Sequence, residues 1–357
     1  MTLNDRVEEL LREAAEIPEL PDKPLLDGDA LDLVTRPGPA VPDAVTRSAL
    51  RWLVDLLALP PGTAGAVVRD AATATLAALA AARHRVLTEV GWDVEGQGLS
   101  AAPPVTVVVG DDAHPKLRTA LRLLGLGQDR VVRVRTDGQG RMRPTLIPPL
   151  HPPAIVCAQV GEAASGAVDP VAAICAEVHD ADAWVHVDGT FGLWAAASPL
   201  TRDLLIGVSY ADSWAAAALE VPYDSGLVFA RDADALWVAL ELARPARGVE
   251  VWAALLALGR IGVADLVEGA CGQAWRLARE LTAAGYPVLN EVVLDRVVVG
   301  FGSAERAADA VARVRAVGVS VGGTRWHGRP AMCLRVGIRR CTDEQLATIV
   351  RLVCAGE

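Results

Sequence analysis

The chain has 357 residues, of which 52% are hydrophobic and 22% charged, and its mean hydropathy is +0.30. This much apolar material fills one large core or two modest ones, which excludes a disordered chain and a small stapled scaffold. Basic residues number 34 and acidic residues 44, for a formal net charge of −10. The acidic balance argues against nucleic acid or an anionic membrane as the main partner.

The cysteines are scattered, with no C-x-x-C pair and no zinc-ligand spacing to histidine. We therefore predict reduced thiols, a cytoplasmic location and no metal site. The six cysteines are Cys157, Cys175, Cys271, Cys333, Cys341 and Cys354. The acidic, amphipathic N-terminus does not resemble a signal peptide, and no apolar run reaches the ~18 residues of a spanning helix, so no membrane association is expected.

Proline-rich joints interrupt short helical patterns in residues 1–45, which predicts an N-terminal arm. Beyond this arm, helical apolar spacing predicts helices over residues 48–59 and 70–85. A β-branched run predicts a strand over 104–110, and a helix over 115–124 follows it.

Four more short apolar runs predict strands, over residues 131–134, 154–160, 183–188 and 226–230. Between the second and third of them a helix is predicted to begin at Asp169, as the N-cap, with Pro170 at the first helical position. Strands separated by helices of about ten to fifteen residues indicate βαβ crossovers and a largely parallel sheet that is buried on both faces.

The pattern changes after about residue 250. Helices are predicted over residues 263–284, over 304–317 and from Thr342 onward, with an apolar segment over 287–301 and a strand over 332–338. This order predicts a large domain over residues 46–260 and a smaller C-terminal α+β domain over 261–357.

Three polar groups fall at predicted strand ends, where doubly wound sheets bind ligands. Asp188 ends the strand WVHVD, His114 begins the helix after residues 104–110, and Ser165 lies in the loop after residues 154–160. Spacing alone does not separate a binding role from a capping or turn role for any of them.

The stretch AIVCAQVGEAASGAVDPVAAICAEVHDADAWVHVDGTFGLWAAASP resembles the group II pyridoxal-5′-phosphate (PLP) dependent amino-acid decarboxylases. Further segments match in the same order along most of the chain, among them PPVTVVVGDDAH, VPYDSGLVFARD and GVEVWAALLALGR. The resemblance implies an α/β fold of the PLP-dependent transferase type (fold type I), with a mainly parallel seven-stranded sheet in the large domain.

The resemblance also implies roles for the strand-end groups. His114 matches the family's histidine that stacks on the cofactor ring, and Asp188 matches its aspartate that pairs with the protonated pyridine nitrogen. Ser165 stands in place of a small hydroxyl residue that lines the site. The predicted residual cleft consists of His114, Ser165, His186, Asp188 and Tyr223.

The family's Schiff-base lysine is missing from its expected place. The segment from Trp214 to Pro222 contains no lysine, and the whole chain has only two, Lys23 and Lys116. Lys116 begins the helix after His114 and is expected to point away from the cleft. Because a Schiff base needs a primary amine, we expect no covalently held cofactor and leave noncovalent binding of PLP open.

The family's phosphate loop is replaced by Arg69-Asp-Ala-Ala-Thr-Ala-Thr75. A carboxylate at Asp70 competes with phosphate for the positive end of the helix. We predict that Asp70 caps the helix and that Arg69 is solvated.

These changes leave three hypotheses. The preferred one is a non-catalytic homologue, a scaffold or partner subunit that forms a homodimer or a heterodimer with a related protein. The second is a repurposed enzyme that uses the old cleft without a Schiff-base lysine, through its remaining polar groups, which include Glu220. The third is an ordinary PLP-dependent amino-acid decarboxylase, that is, a carboxy-lyase.

Overall fold

The computed structural model describes residues 16–26, 43–219, 225–337 and 342–355. Its larger sheet is built from β1 (Ala64–Val68), β2 (Thr106–Gly110), β3 (Val132–Val134), β4 (Ala154–Gln159), β5 (Trp184–Asp188), β6 (Ser213–Ala217) and β7 (Gly226–Ala230). These strands are short apolar runs rich in valine and alanine, as strands buried on both faces require.

The strand order of this sheet is β1-β7-β6-β5-β4-β2-β3. The five strands from β6 to β3 pair in parallel, whereas β7 is antiparallel to both of its neighbours. The sequence prediction of an α/β fold with a mainly parallel seven-stranded sheet is confirmed.

Helices cover both faces of the sheet. They are α1 (Asp43–Leu56), α2 (Ala71–Glu89), α3 (Val94–Gln97), α4 (Pro115–Leu123), α5 (Val171–Val178), α6 (Ala233–Ala243) and α7 (Val249–Ala283). One core lies between the sheet and α2, α4 and α6, and a second core lies between its other face and α1, α5 and the first part of α7. The alanines of α2 let this helix pack closely on the strands.

Helix α7 is kinked at Gly259, whose φ is +65°. The N-terminal segment fills the kink, where the backbone N–H of Arg260 donates to the carbonyl of Pro21 over 2.8 Å. A Cβ at Gly259 would lie 2.7 Å from the carbonyl oxygen of Asp22, so glycine is required here by both conformation and space. The helix predicted over residues 263–284 corresponds to the part of α7 that follows this kink, whereas the part before the kink, which begins at Val249, was not predicted.

The second sheet is antiparallel, with strand order β8-β10-β9. Its elements are β8 (Arg296–Gly300), β9 (Val321–Trp326) and β10 (Arg329–Arg335), and it packs with α8 (Ala304–Arg315) and α9 (Asp343–Cys354). Thr342 caps α9 with a capping box, in agreement with the predicted start of the closing helix. The predicted boundary at residue 260 falls at the kink in α7, and the domain division stays a prediction.

The prediction that Asp169 caps α5 is wrong. Its buried carboxylate accepts the backbone N–H groups of Met142 and Gln159, each over 2.7 Å, and Pro170 stands at the N-cap position. These two long-range donors engage both side-chain oxygens of Asp169 in a buried site, so neither is free to cap the helix. Among the described residues, no helix is long and apolar enough to cross a membrane.

Candidate functional site

The carboxyl ends of β2, β4 and β5 form one edge of the larger sheet. Asp188 ends β5, and its side chain is only 6% exposed. Gln159 ends β4 directly beside it. Just beyond β2, the backbone N–H of His114 donates to the side-chain oxygen of Gln159 over 3.0 Å. The topology thus brings His114 and Asp188 to the edge where α/β sheets bind ligands.

Lys116 is the partner of Asp188. Its Nζ lies 2.8 Å from Oδ1 of Asp188, and its side chain is 13% exposed. The ammonium also donates to the hydroxyl of Thr190, which in turn donates to the same carboxylate oxygen over 3.0 Å. The result is a largely buried ion pair with a bridging hydroxyl group.

The expectation that Lys116 points away from the cleft is therefore wrong. Helix α4 begins immediately after the β2 end of the sheet, and only β4 separates β2 from β5 in the strand order. A lysine side chain is long enough to cross that one strand end. Sequence reasoning missed the contact because Lys116 and Thr190 are 74 positions apart.

The ion pair keeps Asp188 ionised. Burial, the largest single cause, acts to raise the pKa of its carboxyl group, whereas the charge and hydrogen bond of Lys116 act to lower it. His186 and the Thr190 hydroxyl act in the same direction as Lys116, so the pKa of Asp188 lies below its ordinary value.

His114 caps helix α4. Its Nδ1 accepts the backbone N–H of Lys116 over 3.1 Å, which assigns the remaining ring proton to Nε2 in the neutral form. Burial lowers the pKa of His114, the positive charges of Lys116 and Arg296 lower it further, and Asp188 opposes them. The ring is therefore a neutral imidazole at physiological pH.

Ser165 belongs to a loop rather than to an open cleft. It is fully buried, and its hydroxyl contacts the carbonyl of Gln139 and the carboxylate of Glu162 over 2.7 and 3.0 Å. Glu162 also accepts the backbone N–H groups of Ala164 and Ser165. The hydrogen bonds of the Ser165 hydroxyl therefore stabilise the loop that follows β4.

His186 faces away from Asp188, as the alternation of side chains along a strand requires. Its Nδ1 is 3.0 Å from Oγ of Ser213, which also accepts the indole N–H of Trp184. Burial lowers the pKa of His186 to about 4, so the ring is neutral. Tyr223, the other predicted cleft residue, lies outside the described residues, as does Glu220.

A cavity of about 610 Å³ opens beside His114, between the two sheets. Its lining includes Glu162, Cys333 and three arginines, Arg296, Arg325 and Arg335. Sequence analysis did not single out these arginines, because they come from the second sheet and its margins, which pack against the β4 loop only in the folded chain. Among the described residues, no group of three or more acidic, histidine or cysteine side chains is arranged to hold a metal ion.

The acidic side chain of Asp70 caps the N-terminus of α2. The Asp70 carboxylate accepts the backbone N–H of Thr73 over 2.7 Å, and Arg69 lies 3.2 Å from Asp70 with 84% of its side chain exposed. The predicted cap and the solvated arginine are confirmed.

Solved structures define the class of fold. The chain superimposes on Oryza sativa TDC with PLP and tryptamine with a TM-score of 0.76 at 20% identity, covering 99% of this chain and 87% of that one. Mouse CSAD gives a TM-score of 0.76 at 19% identity, covering 98% and 81% of the two chains. Together with the sheet topology, these superpositions define a PLP-dependent transferase fold of type I.

Comparison of sequences narrows the class to a family. A phenylacetaldehyde synthase of Arabidopsis thaliana is 30% identical over 210 residues, which cover 54% of this chain and 41% of that protein. An aromatic-L-amino-acid decarboxylase of Bacillus atrophaeus is 27% identical over 209 residues, covering 54% and 40%. The chain thus spans less than half the length of these curated relatives. The model of the pyridoxal-dependent decarboxylase conserved domain matches residues 39–245, and the chain belongs to this family.

The expectation of no covalently held cofactor is corrected by this membership, because the family is pyridoxal-dependent and a neighbouring structure contains PLP. The structure also places the Lys116 amine 2.8 Å from the Asp188 carboxylate, although this lysine was expected to point away. When bound, PLP supplies an electron sink for carbanion chemistry. By the family resemblance Asp188 and His114 would hold the ring end of this cofactor, and in this structure the Asp188 carboxylate is paired with the Lys116 ammonium.

Proposed function

We propose that the chain is a member of the decarboxylase family that does not itself decarboxylate amino acids and that acts as a scaffold or partner subunit for a related chain. The observation that carries this proposal is the buried ion pair between Lys116 and Asp188. In PLP enzymes an acidic side chain keeps the ring nitrogen protonated, and this makes the ring an electron sink. In this chain the corresponding carboxylate, Asp188, is already paired with the Lys116 ammonium.

The sequence supports the same conclusion. The segment from Trp214 to Pro222 has no lysine, and a carboxylate caps the helix at which the family binds phosphate. The described residues nevertheless form the seven-stranded sheet with helices on both of its faces, as a chain that keeps its architecture for binding would. A cytoplasmic location, predicted from the scattered cysteines, is part of this proposal.

Exposed apolar side chains support a partner. Leu200, Ile206 and Tyr210 are 77%, 69% and 63% exposed, and all three lie in one short segment between β5 and β6. Exposed apolar clusters are frequent at protein interfaces. We propose a homodimer or a heterodimer with a lysine-bearing relative.

The proposal is tested by measuring CO₂ release. The purified chain is incubated with PLP and a panel of aromatic and acidic L-amino acids, with a lysine-bearing family member as the positive control. We expect release at the level of the protein-free blank from this chain alone. Turnover by the lone chain that disappears in the Asp188→Ala variant would overturn the proposal.

A second candidate function rests on Lys116, the lysine that the structure places beside Asp188. Because the cofactor's aldehyde carbon is para to its ring nitrogen, the chain is an active PLP enzyme only if this amine leaves Asp188 and attacks the aldehyde on the opposite side of the ring. Borohydride reduction followed by peptide mass mapping tests this candidate. A pyridoxyl group fixed to Lys116 supports it, and an unmodified Lys116 peptide excludes it.

A further inference from the structure

The Lys116 ammonium is held at Asp188 by two contacts rather than one. It lies 2.8 Å from the carboxylate and also donates to the Thr190 hydroxyl. Thr190 is fixed in turn, because its carbonyl accepts the backbone N–H of Ala217 on β6 over 2.8 Å. With 13% of its side chain exposed, Lys116 is packed in place, unlike a surface lysine.

Among the described residues, none of the other titratable groups on which the pair acts offers the ammonium a better partner. They are His114 and His186, both neutral, and the buried thiol of Cys157. Asp188 is therefore the carboxylate that holds Lys116.

We propose that Lys116 reverses the polarity of the subsite for the cofactor's ring nitrogen. The nitrogen then faces an ammonium group, which donates a hydrogen bond, instead of a carboxylate, which accepts one. It is therefore held unprotonated. The inference goes beyond the proposed function, since it also takes the cleft to bind the cofactor ring. An unprotonated pyridine withdraws electrons less strongly than a pyridinium ion. Lys116 is thus a positioning residue that sets the protonation state of the ring and explains why decarboxylation is not expected.

The test uses pyridoxamine 5′-phosphate labelled with ¹⁵N at the ring nitrogen, because this compound has no aldehyde to react with lysine. The ¹⁵N chemical shift of the bound ring reports directly whether the nitrogen carries a proton. We expect an unprotonated nitrogen in the wild-type protein and a protonated one in the Lys116→Met variant, in which Asp188 is released. Lys116→Arg keeps a cationic donor and should restore the unprotonated state.

Lys23→Met is the matched control, because Lys23 is the other lysine of the sequence and is exposed. It should give the wild-type shift. A protonated nitrogen in the wild type overturns the inference, since it means that the ring displaces the ammonium. Absence of binding to the wild type also overturns it, because the subsite is then blocked and not reversed.

The two proposals fail separately. CO₂ release by a wild-type protein with an unprotonated ring nitrogen would overturn the proposed function and leave this inference standing. A protonated nitrogen without CO₂ release would do the opposite.

Discussion

At the scale of single residues, the pair formed by Lys116 and Asp188 determines the chemistry of the cleft. Two opposite charges share a largely buried site, and each is compensated mainly by the other. Removing one partner of such a pair leaves an uncompensated charge, whereas replacing both is far less costly. The stability of the fold should therefore report whether the ion pair exists in solution.

The variant Asp188→Asn is predicted to be destabilised by about 3 to 5 kcal/mol, the usual cost of breaking a buried ion pair. The double variant Asp188→Asn/Lys116→Met should recover a large part of this loss, since no buried charge then remains. Urea unfolding of the wild type, both single variants and the double variant measures the coupling. A double variant whose loss equals the sum of the two single losses would show that the side chains do not interact.

A second residue-scale prediction concerns Asp169. Burial raises the pKa of its carboxyl group to about 7, the backbone donors Gln159 and Met142 oppose this, and the charges of Asp137 and Glu162 add to it. The folded state then binds the proton more tightly than the unfolded state, whose pKa is about 3.9. The contribution of Asp169 to stability is therefore greatest below about pH 4 and is lost as the pH rises towards 7.

The measurement is the free energy of unfolding between pH 4 and 8 for the wild type and for Asp169→Asn, taken as a difference. The difference is needed because His186 also changes the stability with pH. Its pKa is lowered to about 4, so its contribution to stability increases as the pH rises, over part of the range in which the contribution of Asp169 decreases. We expect the wild type to lose stability relative to the variant as the pH rises. Parallel curves would contradict the raised pKa.

At the scale of elements, local sequence predicted most of the strands and helices but not where their polar ends meet. The β-branched run before Gly110 and the pattern WVHVD each identified a strand within two residues of its observed bounds. The part of α7 after the kink at Gly259 agrees with the predicted helix over 263–284, and the part before the kink, from Val249, was not predicted. Asp169 was assigned as a cap because its long-range donors are not visible in the local sequence.

The kink in α7 gives a prediction with a built-in control. Gly259→Ala should destabilise the protein by about 1 to 3 kcal/mol, since its φ of +65° is strained for alanine and the new Cβ would meet the N-terminal segment. Gly272→Ala in the same helix meets nothing within 4 Å and should instead stabilise the protein by up to about 1 kcal/mol. Thermal unfolding of both variants checks the prediction. Equal shifts would mean that the kink is not formed.

At the scale of the whole molecule, the candidate site depends on how the two sheets meet. The sequence identified Asp188 and His114 as strand-end groups, because the strand ends of an α/β sheet can be read from periodicity. It did not identify Arg296 or Asn290 as neighbours of the β4 loop. Their contacts to Ala163 and Ser165 join residues more than a hundred positions apart, and such contacts exist only once both sheets have formed.

Asn290 is the clearest link between the two sheets, and its loss gives the last prediction. Its buried side-chain amide donates to the carbonyl of Ser165 over 2.9 Å, while its side-chain oxygen accepts the backbone N–H of Val298 over 2.8 Å. Asn290→Ala leaves both buried groups unpaired, at a cost of about 1 to 3 kcal/mol for each.

We expect this loss to separate the unfolding of the predicted domains, residues 46–260 and 261–357, into two calorimetric transitions where the wild type shows one. Gln139→Ala is the control, because Gln139 also bridges the two sheets, through its side-chain oxygen to the backbone N–H of Glu291, but at an exposed position. It should change stability by less than about 0.5 kcal/mol and keep a single transition. A single, lowered transition in Asn290→Ala would mean instead that the chain folds as one cooperative unit, because α7 runs through the predicted boundary and couples both sheets.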